Sequence, residues 1–146
     1  MSDLQEIVEY ELTEDDHAAI LSGNWMVRAS NNGVAYGGFI WSPVGQWTEA
    51  SDWNESPECG GGLHGQGPEA GGYIQGTRLE FCLTDGPRIS IGQNKIKVRR
   101  AKIILLDELP AGLTCRHNLN LRGTQLTQLP ENLTVGGYLD LQGTQI

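Results

Sequence analysis

Apolar positions along the chain fall into two regimes. Between Trp25 and Leu106 they alternate in short runs, and from Leu109 onward they recur at a fixed interval of twenty. The lines LPAGLTCRHNLNLRGTQLTQ (109–128) and LPENLTVGGYLDLQGTQI (129–146) align without a gap. Leu109–Pro110 returns as Leu129–Pro130, Leu119 and Leu121 as Leu139 and Leu141, and Gly123–Thr124–Gln125 as Gly143–Thr144–Gln145. A period of about 20–29 residues around an L-x-L core predicts a solenoid in which each copy contributes one short strand. Here those strands are Leu119–Leu121 and Tyr138–Leu141, with alternate side chains entering the core.

The N-terminal regime reads as a mainly β segment preceded by one short helix. Residues 3–12 are acidic with apolar residues at mixed spacing, which fits a strand or a loose arm. Thr13 followed by Glu14, Asp15 and Asp16 starts a helix, with acids at its positive end and Gly23 closing it. Strand-like runs follow at Trp25–Ser30 and Val34–Trp41, joined by the hairpin signal Asn31–Asn32–Gly33. Gln46–Ala50 is a further short strand. Residues 51–76, rich in Gly, Ser and Pro, read as a long loop of the functional kind. Arg78–Thr84, Arg88–Ile91 and Ile96–Leu106 complete the sheet. In the last of these Ile96 and Val98 fall out of phase with Ile103 and Leu105, which predicts a bulge near Arg99–Ala101. The fold class expected is α+β, mainly β: a β-rich domain over 1–108 with its N-terminal helix, then a two-turn leucine-rich solenoid over 109–146.

Composition narrows the functional classes. Twenty glycines against two phenylalanines favour strands and turns, and the net charge of −8 disfavours nonspecific binding to nucleic acid or anionic membranes. No apolar run reaches the ~20 residues of a membrane span, and MSDLQEIVEY lacks the basic and apolar parts of a signal peptide. Three cysteines without metal-ligand spacing fit a reducing cytoplasm, three free thiols and no metal or other cofactor. Charge is unevenly spread: residues 1–16 hold seven acids and no base, and half of the ten basic residues lie between Lys95 and Lys102. Lys95, Lys97 and Arg99 alternate as the solvated face of a strand, or as readers of phosphate.

The candidate chemistry centres on Cys59-Gly60-Gly61-Gly62-Leu63-His64-Gly65. Successive glycines permit close backbone approach to an anion or a nucleotide, although no phosphate-loop lysine follows. Cys59, Gly61 and His64 are the candidate ligand contacts in this turn. Trp53, in the long loop, is the tryptophan expected to be exposed and to anchor a partner, with Tyr138 as a second anchor.

The LPxxL…LxLxGTxLTxLP pattern resembles the short-period leucine-rich repeats of bacterial and phage proteins, which implies protein binding. Those families string many copies together, whereas two are present here and about three are usually needed for stability. The β-rich domain is therefore expected to cap one end, and the other end stays open. A two-fold homodimer through Leu139, Leu141 and Ile146 would cover it. Residues 24–108, through GGFIWSPVGQWTEA, CGGGLHG and KIKVRRAKIILLDEL, resemble an uncharacterised domain of phage and bacterial proteins, for which no reaction is implied. Arg28, Tyr36–Gly37 and the Gly-Leu-His turn also resemble ADP-ribosyltransferase-like folds. That resemblance implies catalysis by Arg28, His64 and a late glutamate, Glu108 or Glu80. The leading expectation is a noncatalytic, cytoplasmic protein-binding protein, a candidate inhibitor of a host antiviral-defence factor. The nucleotide-binding or ADP-ribosyltransferase-like use of residues 59–65 is the alternative.

Overall fold

The computed structural model describes residues 11–31, 40–58 and 61–146. The hairpin at Asn31–Gly33, most of the strand expected at Val34–Trp41, most of the acidic stretch 3–12, and Cys59 lie outside these residues. Among the described residues the molecule is mainly β with one short helix.

The helix, α1 (Glu14–Leu21), begins as its sequence requires. The Thr13 hydroxyl accepts the Asp16 N–H at 3.1 Å, and the Asp16 carboxylate accepts the Thr13 N–H at 2.9 Å, satisfying two donors that the first turn leaves open. At its far end the Gly23 N–H donates to the Ile20 carbonyl and the Asn24 N–H to the Ala19 carbonyl, with Gly23 at φ +82°. This double closure stops the helix and turns the chain into the sheet.

The sheet is antiparallel, in the order β1 (Trp25–Ser30), β4 (Arg78–Ile91), β5 (Lys95–Leu106), with β2 (Trp47–Glu49) and β3 (Leu63–Gly65) end to end along the outer edge of β5. The two runs expected at Arg78–Thr84 and Arg88–Ile91 are one strand of 14 residues. Its register against β5 slips between Asp85 and Arg88, where Gly86 and Pro87 face Arg99 alone. The slip falls opposite Arg99, but its extra residue belongs to β4 and not to the long strand in which a bulge near Arg99–Ala101 was expected. Ala101 and Ile103 share the apolar cluster of Ile96, Val98, Leu63, Met26 and Cys82. A second slip, between Phe81 and Cys82, leaves Ile104 as the extra residue. Ile104 thereby joins the other cluster, with Trp25, Val27, Leu79 and Phe81.

Residues 51–76 are not a structureless loop. β3 lies within them, and just beyond it Gln66 and Val27 exchange both backbone hydrogen bonds, at 2.6 and 2.7 Å, so that the sheet closes on itself through β1. The loop expectation failed because Leu63-His64-Gly65 is too short and glycine-rich to alternate visibly, while its burial comes entirely from partners distant in sequence.

From Leu109 on, the two copies pair in parallel at an offset of twenty. β6 (Thr114–Cys115) lies on β8 (Thr134–Val135), and β7 (Leu119–Asn120) on β9 (Leu139–Asp140). Leu109, Leu113, Cys115, Leu119, Leu121 and Leu126 of the first copy share one hydrophobic cluster with the helix and the sheet. The contact is fixed by residues 66–77. Gln66 is fully buried; its Nε2 donates to the Asn120 carbonyl at 2.7 Å, and its Oε1 accepts the N–H groups of Asn120 and Gly72, each at 2.8 Å. The Arg116 N–H donates to the Pro68 carbonyl and the Gln125 N–H to the Thr77 carbonyl. Gly71 must be glycine here, since a Cβ would collide with the Asn118 carbonyl.

Replacing Gln66 by leucine leaves the Asn120 N–H and C=O and the Gly72 N–H without this partner at a buried joint, and each orphaned group costs about 1–3 kcal/mol. Gln66→Leu is expected to lower unfolding stability by roughly 3 kcal/mol or more. The check is a urea titration against the parent; a loss under about 1 kcal/mol, the net worth of a single ordinary hydrogen bond, would remove Gln66 from this role.

Candidate functional site

Two regions hold the residues that the sequence singles out. One is the patch where β3, the 52–62 segment and the N-terminal half of β5 meet. The other is the outer face of the second copy.

In the first region the pairing of β3 with β5 sets His64 opposite Lys97. Lys97 is not on a solvated face: it is fully buried, its Nζ donates to Asn54 Oδ1 at 2.9 Å and it lies 5.7 Å from the Trp53 ring centroid. Trp53, Asn54 and Gly62 lie against it. Asn54 also takes the Ser56 N–H on the same oxygen, and its own N–H donates to the Gly61 carbonyl. The glycines are filled rather than open. Gly61, at φ +65°, has the Asn54 side chain where its Cβ would be, and a Cβ on Gly62 would meet the Trp53 ring and Lys97 Cβ at 3.1–3.2 Å. Trp53 is accordingly half-buried, and the exposed anchor expected in this loop is instead part of its packing.

The remaining cations of β5 are engaged in the same manner. Lys95 lies 4.4 Å from the Tyr73 ring centroid, and Arg100 and Lys102 lie 4.2 and 5.3 Å from that of Trp47. Arg100 also faces Asp85 at 3.4 Å, and Lys102 faces Asp16 at 3.8 Å. Arg99 is the exposed one of the five. Alternation along the strand groups Lys95, Lys97 and Arg99 as a solvated face, but only Arg99 of the three is exposed, and the rings against Lys95 and Lys97 are those of Tyr73 and Trp53.

His64 is half-buried in this field. Its imidazole is driven from 6.5 down to about 4, first by burial, then by the positive charges of Lys95 and Lys97; Asp52 opposes the shift and Arg28 adds to it. The ring is therefore neutral at pH 7, able to accept or donate one hydrogen bond but carrying no charge for an anion.

The grouping of Arg28, His64 and Glu108 is not formed. Arg28 is buried against Glu80, to which its guanidinium donates, and its plane lies 4.1 Å from the Trp41 centroid. Glu80 is fully buried and also accepts from Ser30 Oγ at 2.6 Å and from Arg78 at 2.7 and 3.0 Å. Glu108 is exposed beyond the end of β5. A carboxylate that already accepts from two guanidinium groups and a hydroxyl has its lone pairs committed, which suits a structural knot better than proton transfer. The role of Glu80 was visible in sequence only as a polar residue inside an otherwise apolar strand.

Cys82 and Cys115 are free and buried; burial raises both thiols, that of Cys115 to about 12, so neither is a thiolate at neutral pH. Among the described residues no three His, Cys, Asp or Glu side chains gather in a way that would hold a metal ion.

The second region differs in kind. Tyr138 is 79% exposed, Ile146 59%, Leu129 39% and Leu139 36%, while Leu141 is half-buried. The matching positions of the first copy (Leu126, Leu109, Leu119 and Leu121) are all buried. Comparisons with protein-family models, curated proteins and solved structures give no match to the chain.

The His64 shift has a consequence for stability. The unfolded imidazole binds a proton near pH 6.5 and the folded one only near pH 4, so acidification through that window favours the unfolded chain. Stability from this group is complete above pH 6.5 and is lost as pH falls toward 4. The urea midpoint of the parent is expected to fall between pH 7 and pH 5 by more than that of His64→Gln. Equal falls, or a His64 proton-NMR titration near 6.5, would show that the ring is not held neutral.

Proposed function

We propose that this chain is a noncatalytic protein-binding protein, and that its C-terminal copies act as a short leucine-rich solenoid whose uncovered outer face docks a partner. One observation carries this reading: Leu109, Leu119 and Leu126 are buried in the first copy, whereas their counterparts Leu129, Leu139 and Ile146 are exposed in the second, together with Tyr138. An apolar set that is buried wherever a layer covers it is a surface suited to another layer. The packing at Gly61 and Gly62 and the engagement of Arg28 and Lys97 by groups of the chain itself weigh against the catalytic alternative among the described residues. No described helix is long and apolar enough to cross a membrane. The resemblance to bacterial and phage repeats extends the proposal to a cytoplasmic inhibitor of a host factor.

The test is affinity capture from bacterial lysate with three folded baits: the parent, Tyr138→Ser combined with Leu139→Asp, and His64→Ala. A partner is expected to be retained by the parent and by His64→Ala and lost from the outer-face variant, with binding reduced tenfold or more. Retention by the outer-face variant together with loss from His64→Ala would move the function to the glycine-rich turn.

A further inference from the structure

We propose that the outer face of the second copy takes a basic, extended segment of a partner protein, laid parallel to β9 as a third layer; this rests on the protein-binding reading above and specifies its partner. The backbone sets the shape of the occupant. In the existing stack the N–H groups of Leu119, Leu121 and Gly123 donate to the carbonyls of Tyr138, Asp140 and Gln142, while the Leu113 and Cys115 carbonyls accept from Thr134 and Gly136. Successive residues of a strand direct their backbone groups to opposite edges. Asp140, whose carbonyl meets the first copy, therefore alternates with Leu139 and Leu141, whose N–H groups point to the open side, while the Leu141 carbonyl accepts from the Thr144 N–H and hydroxyl. An occupant must offer carbonyls at every second residue over a short parallel strand, with apolar side chains between them to cover Leu139, Leu141 and Ile146. Strand addition to an exposed edge is an established mode of peptide recognition.

Charge sets the chemistry of the occupant. The first copy holds Arg116, Arg122 and no acid; the second holds Glu131, Asp140 and no base. The chain thus stacks a basic layer on an acidic one, and the face left open belongs to the acidic layer of a protein whose net charge is −8. A second copy of this chain, meeting it through the same face, would set Glu131 and Asp140 against themselves. Tyr138 points the same way. At the matching position of the first copy, Asn118 Oδ1 accepts the Tyr138 N–H at 2.7 Å and so links the layers. Tyr138 has no such acceptor; it offers instead an exposed ring, two residues before Asp140 in sequence, and an aromatic face favours a guanidinium or ammonium group.

The experiment appends a third layer to the full chain, so that the occupant is tethered and its docking is read as stability. One extension adds Thr-Gln to complete the second period and then repeats the sequence of residues 109–128. A second is identical except that both arginine positions are changed to glutamate. The arginine extension is expected to raise the urea midpoint and to bury Tyr138, read as lower accessibility of its fluorescence to iodide. The glutamate extension is expected to be less stable, by several-fold to about tenfold in the unfolding constant, with a gap that narrows in 0.5 M salt. Equal stabilisation by the two extensions would overturn the basic partner while leaving the docking face standing. No stabilisation by either would overturn the third layer itself, whatever the capture experiment gives. Light scattering that finds the unextended chain dimeric, and Leu139→Asp monomeric but folded, would make a second copy the occupant and overturn the proposal.

Discussion

Gln66 is the constraint on which the rest of this structure depends, because it serves two joints at once. Its backbone exchanges both hydrogen bonds with Val27 and closes the sheet through β1; its side-chain amide supplies a donor and an acceptor to both backbone groups of Asn120 and attaches the first leucine-rich copy. A primary amide carries the same donor and acceptor pair as a peptide unit, so a side chain here stands in for a strand. The buried polar edge of β7 is satisfied without a further strand, and one hydrophobic cluster runs from α1 and β1 through to Leu126. Without that joint, the N–H and C=O of Asn120 would face an apolar interface with nothing to meet them.

The cations of β5 illustrate how the interior limits chemistry. A basic run on an acidic protein invites a reading in terms of phosphate, but four of the five cations lie against aromatic rings drawn from residues 47–73, and Lys97 is wholly enclosed. Their positive charge is directed at Asn54 and at the rings of Trp47, Trp53 and Tyr73. The same charges, with burial, hold His64 neutral. What the β-rich part presents outward is therefore less reactive than its composition suggests. It serves as the base on which the C-terminal copies are mounted.

Those copies differ in how far they are enclosed. The first is covered on both sides, by residues 66–77 and by the second copy, and its leucines are core residues of the whole molecule. The second repeats its backbone, yet exposes Leu129, Leu139 and Ile146 where the first buries Leu109, Leu119 and Leu126, and it carries the opposite charge. Two layers nearly identical in sequence pattern thus do different work, because only one of them is enclosed.

The twenty-residue period, the capping box of α1 and an irregularity of the sheet near Arg99 were legible in the sequence, although the extra residue there belongs to β4. Each follows from contacts between near neighbours or from strict periodicity, which a linear pattern records directly. The candidate sites were legible only as residue types. Whether Gly61 and Gly62 cradle a ligand or receive Asn54 and Trp53, whether Lys97 faces water or a ring, and whether Arg28 meets Glu108 or Glu80 depended on which distant segments come together. So did the role of Gln66, one polar residue among glycines with no periodic partner to mark it. For Lys97, Arg28 and Gln66 tertiary structure decided because burial and hydrogen bonding are supplied from 40 or more positions away, as in the separations of 43 for Lys97–Asn54, 52 for Arg28–Glu80 and 54 for Gln66–Asn120. Local propensity carries no record of such pairings.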